Sequence, residues 1–449
     1  MAEAHVQETL LTLYDSGANS AKFYRLRLFP DGNVEALWGR IPDGHSGELT
    51  GQRQVKPGGQ DFFDRQKYAK ERKGYTVANV VADVESVKPD SDLHATASAS
   101  LAGGSTDGVV RTLVERLIAA NKHDLMKSSG GLISVDTSGQ ARTALGIITA
   151  AAVDEARAIL SEATAETDAE RRGSLVEKYL RLVPQAVPRS AGRGWAPTWL
   201  TTYTTPAAQA QLLDALEASA SYAAAAKKQA ADAQRAKTGT TVDENFFRYR
   251  VTRLEPGTDE YEMVVGRFHE TKQDAHAAAY RMSPKYVYRL EDRRHGSEIA
   301  KVAERIRNVQ RLWHGTGAAN VLSILQKGLF VPPTTGSGIH IAGRMFGDGV
   351  YLSRSATKSL NYSTSFWGGD TGSSPSTFMF LTLTAMGYEY RPTQRIAPPR
   401  GQVWTRPDAD ADGKRYDSTN VLPGTAGVVN HEAIVRDPMQ VNLQWLVEF

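Results

Sequence analysis

The apolar residues of this chain change their spacing twice, and that change limits the architectures open to it. Near the amino terminus they alternate, as in residues 21–29, AKFYRLRLF, which reads as a half-exposed strand. Further on, Val110, Leu113, Val114, Leu117 and Ile118 recur on one face of an amphipathic helix. Helical patterns follow over residues 149–164, 174–182 and the alanine-rich 207–236. Beyond residue 240 short β-rich runs return at 246–254, 286–290, 378–383 and 431–435, punctuated by glycines and two Pro-Pro pairs. No single layer serves all three patterns, and 449 residues exceed what one hydrophobic core normally organises. The reading is an α+β multidomain protein: a small β-rich domain over 1–90, a polar linker over 91–108, an all-α bundle over 109–238 and an α+β domain over 239–449.

Composition narrows the chemistry. With no cysteine, the chain has no disulfide, thiolate zinc site, iron-sulfur cluster or cysteine nucleophile. The first twenty residues lack the basic start and apolar run of a signal peptide, and no apolar stretch approaches a membrane span, so an intracellular protein is expected. The alanine-rich composition and the lack of a basic localisation tract point to a bacterial or phage host, with the cytoplasm or nucleoid as its compartment; a eukaryotic host would place it in the nucleus. Net charge is only +3, so any pull toward nucleic acid must come from local patches.

Several motifs are weak. Asp408, Asp410, Asp412 and Gly413 match the start of a calcium loop, but its twelfth position is Thr419 instead of a bidentate glutamate, which favours an acidic surface loop. Gly336, Gly338 and Gly343 have the wrong spacing for a dinucleotide fingerprint. No HExxH pattern suggests a zinc enzyme.

Three other stretches stand together: RLWHGTG from Arg311, MFGDGVYLSRSATKSLNYS from Met345 and GVVNHEAIVRDPMQVNLQWLVEF from Gly427. They resemble the catalytic domain of the poly(ADP-ribose) polymerases, the diphtheria-toxin-like ADP-ribosyltransferases with a His-Tyr-Glu triad and a split β-sheet core. The resemblance implies a triad of His314, Tyr351 and Glu432. It assigns NAD, as substrate and with no metal, to His314 on the adenine-side ribose and to the backbone of Gly315 on the nicotinamide amide. Ser359 would bond the same amide, Tyr351 and Tyr362 would sandwich the ring, and Lys358 would line the site. The chemistry is sound on its own terms. A carboxylate stabilises the positive charge that develops on the sugar when nicotinamide leaves, and can take a proton from the acceptor. Aromatic faces hold the cationic ring, each by about 0.5 to 2 kcal/mol. The sequence departs from the family at His431, where asparagine is common, and at Ala433, where an aromatic is common; both bear on acceptor handling and elongation.

The resemblance extends upstream. Residues 19–40, with Trp38, Gly39 and Arg40, and the following FFDRQKYAKERKGY are similar to a WGR domain, which implies recognition of DNA strand breaks carrying a 5′ phosphate. Trp38 and Arg40, with the local basic cluster Arg65, Lys67, Lys70 and Lys73, are the candidate nucleic-acid contacts. TALGIIT, EKYLRLVPQ and LLDALEASASYA resemble the helical regulatory domain that blocks NAD access until DNA binds. The implied function is a DNA-break-stimulated polymerase acting on proteins, itself included, in the DNA damage response, with room for an accessory protein that completes the site. Open alternatives are a mono-ADP-ribosyltransferase, a non-catalytic DNA-end scaffold, and activation by RNA.

Overall fold

A computed structural model of the chain describes residues 5–41, 49–78, 80–81, 101, 108–128, 133–135, 141–143, 146–206, 208–210, 212–217, 219–220, 247–274, 277–331, 345–363, 377–394 and 404–449. They group into two compact units: 1–90 with 122–223 and 334–341, and 91–121 with 224–333 and 342–449. Most of the expected linker, Leu145, the end of the alanine-rich helix and the glycines at 336, 338 and 343 lie outside the described residues.

In the first unit, β1 (Gln7–Asp15), β2 (Ser20–Leu28), β3 (Asn33–Arg40) and β4 (Gln52–Pro57) run as an antiparallel meander. Helix α1 (Gly59–Glu71) crosses it, and β5 (Thr76–Val77) closes the other edge to give the order β4-β3-β2-β1-β5. Phe63 of α1 is packed among Leu11, Leu26 and Val34, the inward set of the alternating strands. The β1–β2 turn is tight enough to put Asn19 at φ 49, a left-handed conformation that asparagine tolerates.

The expectation of an all-α stretch over 109–238 is corrected here. After α2 (Gly108–Ser128) come three short strands, β7 (Ile133–Val135), β8 (Ala141–Thr143) and β9 (Gly146–Ile148). They pair with β6 (Val80–Val81) in the order β6-β9-β8-β7. The β-branched residues in ISV and GII favour the extended chain, and runs this short carry no helical period. Helices resume with α3 (Ala150–Ala165), capped by Thr149 Oγ1 accepting from Ala152 N at 3.2 Å, α4 (Ala169–Leu182), capped by Asp168 accepting from Arg171 N at 2.8 Å, and the single turn α5 (Trp199–Thr202). The expected boundary between β-rich and helical blocks is also bridged. Tyr14 Oη donates to Gln185 O at 3.0 Å, Ser16 N donates to Glu177 Oε1 at 2.7 Å, and residues 1–90 and 122–223 fall within one unit.

The second unit is a split sheet. Its elements in order are β10 (Tyr249–Leu254), α6 (Asp259–Glu270), α7 (Ala277–Tyr280), β11 (Tyr286–Asp292), α8 (Gly296–Ile306), β12 (Val309–Gly315) and α9 (Ala318–Lys327). Then come β13 (Val350–Leu352), α10 (Ala356–Ser363), β14 (Phe378–Ala385), β15 (Glu389–Tyr390), β16 (Ser418–Val421), β17 (Glu432–Val435) and β18 (Val441–Glu448). One sheet has the order β10-β11-β18-β14-β12, the other β13-β17-β16-β15. Nearly every residue of β14 is buried, which explains why its sequence, FMFLTLTA, carries no charge and is apolar but for Thr382 and Thr384. A core of Phe268, Trp313, Leu360, Met379, Leu381 and Trp445 joins α6 and α10 to the first sheet. The two sheets meet where Trp313 and Ser353 exchange backbone hydrogen bonds of 2.8 and 2.9 Å.

Candidate active site

The sheet junction places the predicted residues. Trp313 directs both its backbone groups at Ser353, away from β14, so the alternation of the strand turns the amide groups of Gly315 to that same side. Helix α10 then runs past the end of β12. A Cβ on Gly315 would lie 1.7 Å from the Ser359 carbonyl oxygen, so only glycine permits this approach. Ser359 Oγ donates to Trp313 O at 3.2 Å, and Ser363 Oγ accepts from Thr316 N at 3.2 Å. The result is a half-buried backbone ledge beside α10, suited to a flat carboxamide.

His314 is held by its Nδ1–H, which donates to Tyr351 O at 2.9 Å. Burial lowers its basicity, with Lys358 adding to the effect, so the ring stays neutral and Nε2 is left as an acceptor for a hydroxyl. Tyr351 lies in β13 opposite Ile434, and its hydroxyl is fixed between Gly347 O at 2.8 Å and Phe346 N at 3.0 Å. Tyr362 sits on α10, its phenol pushed up to about 12 by burial and by the negative charge of Glu432.

Glu432 opens β17, paired across to Val421 of β16. Its carboxylate takes a 2.5 Å hydrogen bond from Lys358 Nζ, and that ammonium also stands 5.3 Å from the centre of the Tyr362 ring. Burial raises the Glu432 pKa, and the adjacent lysine opposes the rise. Helix α10 thus brings Lys358, Ser359 and Tyr362 to Gly315 on one side and Glu432 on the other.

A closed ring of hydrogen bonds, which spacing in the sequence does not reveal, stands behind Glu432. His431 Nδ1 accepts from Arg354 N at 3.1 Å, and its Nε2–H donates to Asn420 Oδ1 at 2.9 Å. Asn420 Nδ2 donates to Glu389 Oε2 at 2.7 Å, Gln310 Nε2 to Glu389 Oε1 at 2.8 Å, and Arg354 Nη2 to Gln310 Oε1 at 2.9 Å. Burial, with Arg354 and Lys358 nearby, lowers the His431 pKa to about 3, so this imidazole is a neutral strut. Four of these residues come from distant elements; only the departure at His431 signalled them.

The candidate nucleic-acid residues gather less. Trp38 lies 5.9 Å from Tyr24 between ring centres, and Lys70 Nζ sits 4.0 Å over the Tyr24 ring and 5.5 Å from that of Tyr75. Partial burial and the charges of Lys73 and Lys22 lower the Lys70 pKa, which marks a local cationic patch. Arg65 Nε donates to Asp61 O at 3.2 Å, and Lys67 lies 4.0 Å from Glu71, so both interact along their own helix. Arg40 turns inward: it donates to Asn19 O at 2.9 Å and Val187 O at 2.8 Å. Its guanidinium braces the unit in the place where the tripeptide suggested a phosphate contact. In the acidic loop, Asp410 accepts from Asp412 N, Lys414 N and Tyr388 Oη, which makes it a self-bonded turn.

Residues 258–449 match the family model described as poly(ADP-ribose) polymerase catalytic domain. The chain is 28% identical over 208 residues to poly(ADP-ribose) polymerase 1 of Xenopus laevis, covering 42% of this chain and 20% of that protein. It is 32% identical over 126 residues to poly(ADP-ribose) polymerase 2 of Zea mays, 27% of this chain and 18% of that one. A protein of Invertebrate iridescent virus 6 described as poly(ADP-ribose) polymerase-like is 30% identical over 136 residues, 30% of this chain and 68% of its own length. The chain thus spans about a fifth of the Xenopus and maize proteins it matches.

Proposed function

This chain belongs to the poly(ADP-ribose) polymerase family, and from that premise we propose that it transfers ADP-ribose from NAD to protein side chains, its own among them. The observation that carries the reading is the buried Lys358–Glu432 pair beside Tyr362, on the helix whose Ser359 meets Gly315. Nicotinamide stacks between Tyr351 and Tyr362, with its carboxamide on the Gly315 backbone and Ser359 Oγ. His314 Nε2 accepts from a hydroxyl of the adenine-side ribose. The bond between nicotinamide and ribose breaks with its electron pair going to nicotinamide, and the Glu432 carboxylate stabilises the cationic sugar. The acceptor oxygen then attacks the anomeric carbon, and its proton passes to Glu432 and on to water.

Chain elongation and stimulation by DNA breaks complete the proposal, as part of a response to DNA damage. Elongation is supported by the retained Glu432, with the closed ring of hydrogen bonds behind it. DNA stimulation is supported by the patch of Lys22, Lys70 and Lys73 around Tyr24, Tyr75 and Trp38, where phosphate contact and base stacking are both available. Helical segments that block NAD until DNA binds would couple the two activities.

The test is incorporation of labelled NAD into protein, with and without nicked DNA carrying a 5′ phosphate. The expected result is DNA-stimulated label in products of heterogeneous length, lost in Glu432→Gln. Discrete single additions would favour a mono-ADP-ribosyltransferase, stimulation by RNA alone would change the activator, and full NAD turnover in Glu432→Gln would overturn the mechanism.

A further inference from the structure

A second cleft, of about 750 Å³, opens on the second unit between α6 and the free edge of β12. Its lining includes Gly266, Arg267, Glu270, Gln310, Arg311 and Arg354. None of them is a nicotinamide contact in the reading above. The cleft is cationic in character. Arg311 and Arg354 have no carboxylate within ion-pair distance among the described residues, and Arg267 reaches Glu270 only at 3.9 Å while its Nε finds no hydrogen-bond acceptor. Of the other lining carboxylates, Glu262 is engaged by Gly257 N at 3.1 Å.

The backbone adds a second feature. Trp313 points its N–H and C=O away from β14 toward Ser353; two residues earlier, the same alternation points those of Arg311 to that edge of β12, beside the cleft, where they meet no backbone partner among the described residues. Gly266 keeps the opposite wall open, since no atom lies within 4 Å of the place its Cβ would take. An unpaired strand edge accepts another strand, and flanking guanidiniums select the carboxylates on it. A small anion would satisfy the arginines but leave the strand edge unused.

We propose that this cleft binds an extended acidic segment of a protein, added to the edge of β12 with its carboxylates on Arg267, Arg311 and Arg354. The proposal does not depend on the transferase reading. The probe is a fluorescent ten-residue peptide of alternating Glu and Val, which in extended form presents its carboxylates on one face. Its binding to the full chain is followed by anisotropy at low and moderate salt, against a Gln/Val control. The peptide should bind, weaken with salt, and lose at least about tenfold in affinity with R267E/R311E or with Gly266→Trp, which fills the cleft. Both changes should leave the melting temperature and NAD consumption unchanged, since Arg311 is exposed, the Cβ position of Gly266 meets open space, and Arg267 makes only a long ion pair to Glu270. Equal binding of the control peptide, or unchanged affinity in both variants, would overturn the proposal. So would a labelled single-stranded DNA that binds in the peptide's place and is lost in the same variants, because that result would make the cleft a nucleic-acid site.

Discussion

The two candidate surfaces were recognised from equally short stretches of sequence, yet they fare differently in three dimensions. His314, Gly315, Tyr351, Lys358, Ser359, Tyr362 and Glu432 are tied to one another through backbone contacts, a buried ion pair and the sheet junction. On the candidate nucleic-acid side, Trp38, Lys70 and Lys73 gather, Arg65 and Lys67 serve their own helix, and Arg40 is engaged in bracing. The difference lies in what constrains each residue. Catalysis requires groups within hydrogen-bond reach of one another, so their spacing follows the fold; phosphate binding requires only charge on a face, which many arrangements satisfy.

That contrast can be broken most decisively at Glu432. Glu432→Gln keeps the shape but removes the charge, and should lower NAD turnover by about 10²- to 10³-fold while leaving DNA affinity unchanged. A loss below tenfold in a steady-state assay would show that the convergence around this residue has another purpose. Gly315→Ala tests the ledge. Its methyl must displace the Ser359 carbonyl, so denaturant unfolding should report a loss of about 1 to 3 kcal/mol, with KM for NAD rising alongside.

The pH profile sharpens the comparison next. In the proposed mechanism Glu432 acts as a carboxylate, and its pKa is raised above the ordinary 4.5, so the acid limb of turnover should lie above pH 4.5. Lys358→Met removes the charge that opposes the rise and should move the limb further upward; a limb that stays in place would separate the lysine from the carboxylate. The raised pKa also means that this group's contribution to stability is complete below the unfolded value and declines as pH rises through the folded one. His431 behaves in the opposite sense. Its pKa falls from 6.5 to about 3, so the stability it confers is present above pH 6.5 and is lost as pH drops toward 3. His431→Asn should therefore flatten the acid side of the stability curve, as seen by circular dichroism between pH 6.5 and 3.

The smallest effects distinguish the cations of the first unit. Arg40→Ala should cost about 1 to 3 kcal/mol of stability by orphaning two carbonyls, with the salt dependence of DNA binding unaltered. Lys70→Ala and Lys73→Ala should each reduce the slope of log affinity against log salt by about 1, with stability changed by less than about 0.5 kcal/mol. If Arg40→Ala instead flattened the salt slope, the inward orientation described above would not be the one in the proposed complex with DNA.

Much of the catalytic unit was legible in the sequence because its strands are buried on a fixed face and its site residues lie in three contiguous motifs. The alternation in AKFYRLRLF and the helical face after Val110 were legible for the same reason of period. Strands β7 to β9 were not, because runs of three residues contain less than two full alternations. The ring of Arg354, Gln310, Glu389, Asn420 and His431 was invisible for a different reason. It is built by strand pairing across the split sheet, and no local pattern encodes which polar side chains such pairing will bring together.

The meeting of Trp313 and Ser353 has a consequence for how the molecule fails. His314 and Gly315 belong to one sheet, Tyr351 and Glu432 to the other, and among the described residues this is the one pair whose backbones join the sheets. It works as a clasp. A disturbance that unfastens it leaves each sheet's own ladder intact, so chemistry can be lost well before the fold melts, and exchange of the Trp313 and Ser353 amides with solvent deuterium would register the moment of inactivation.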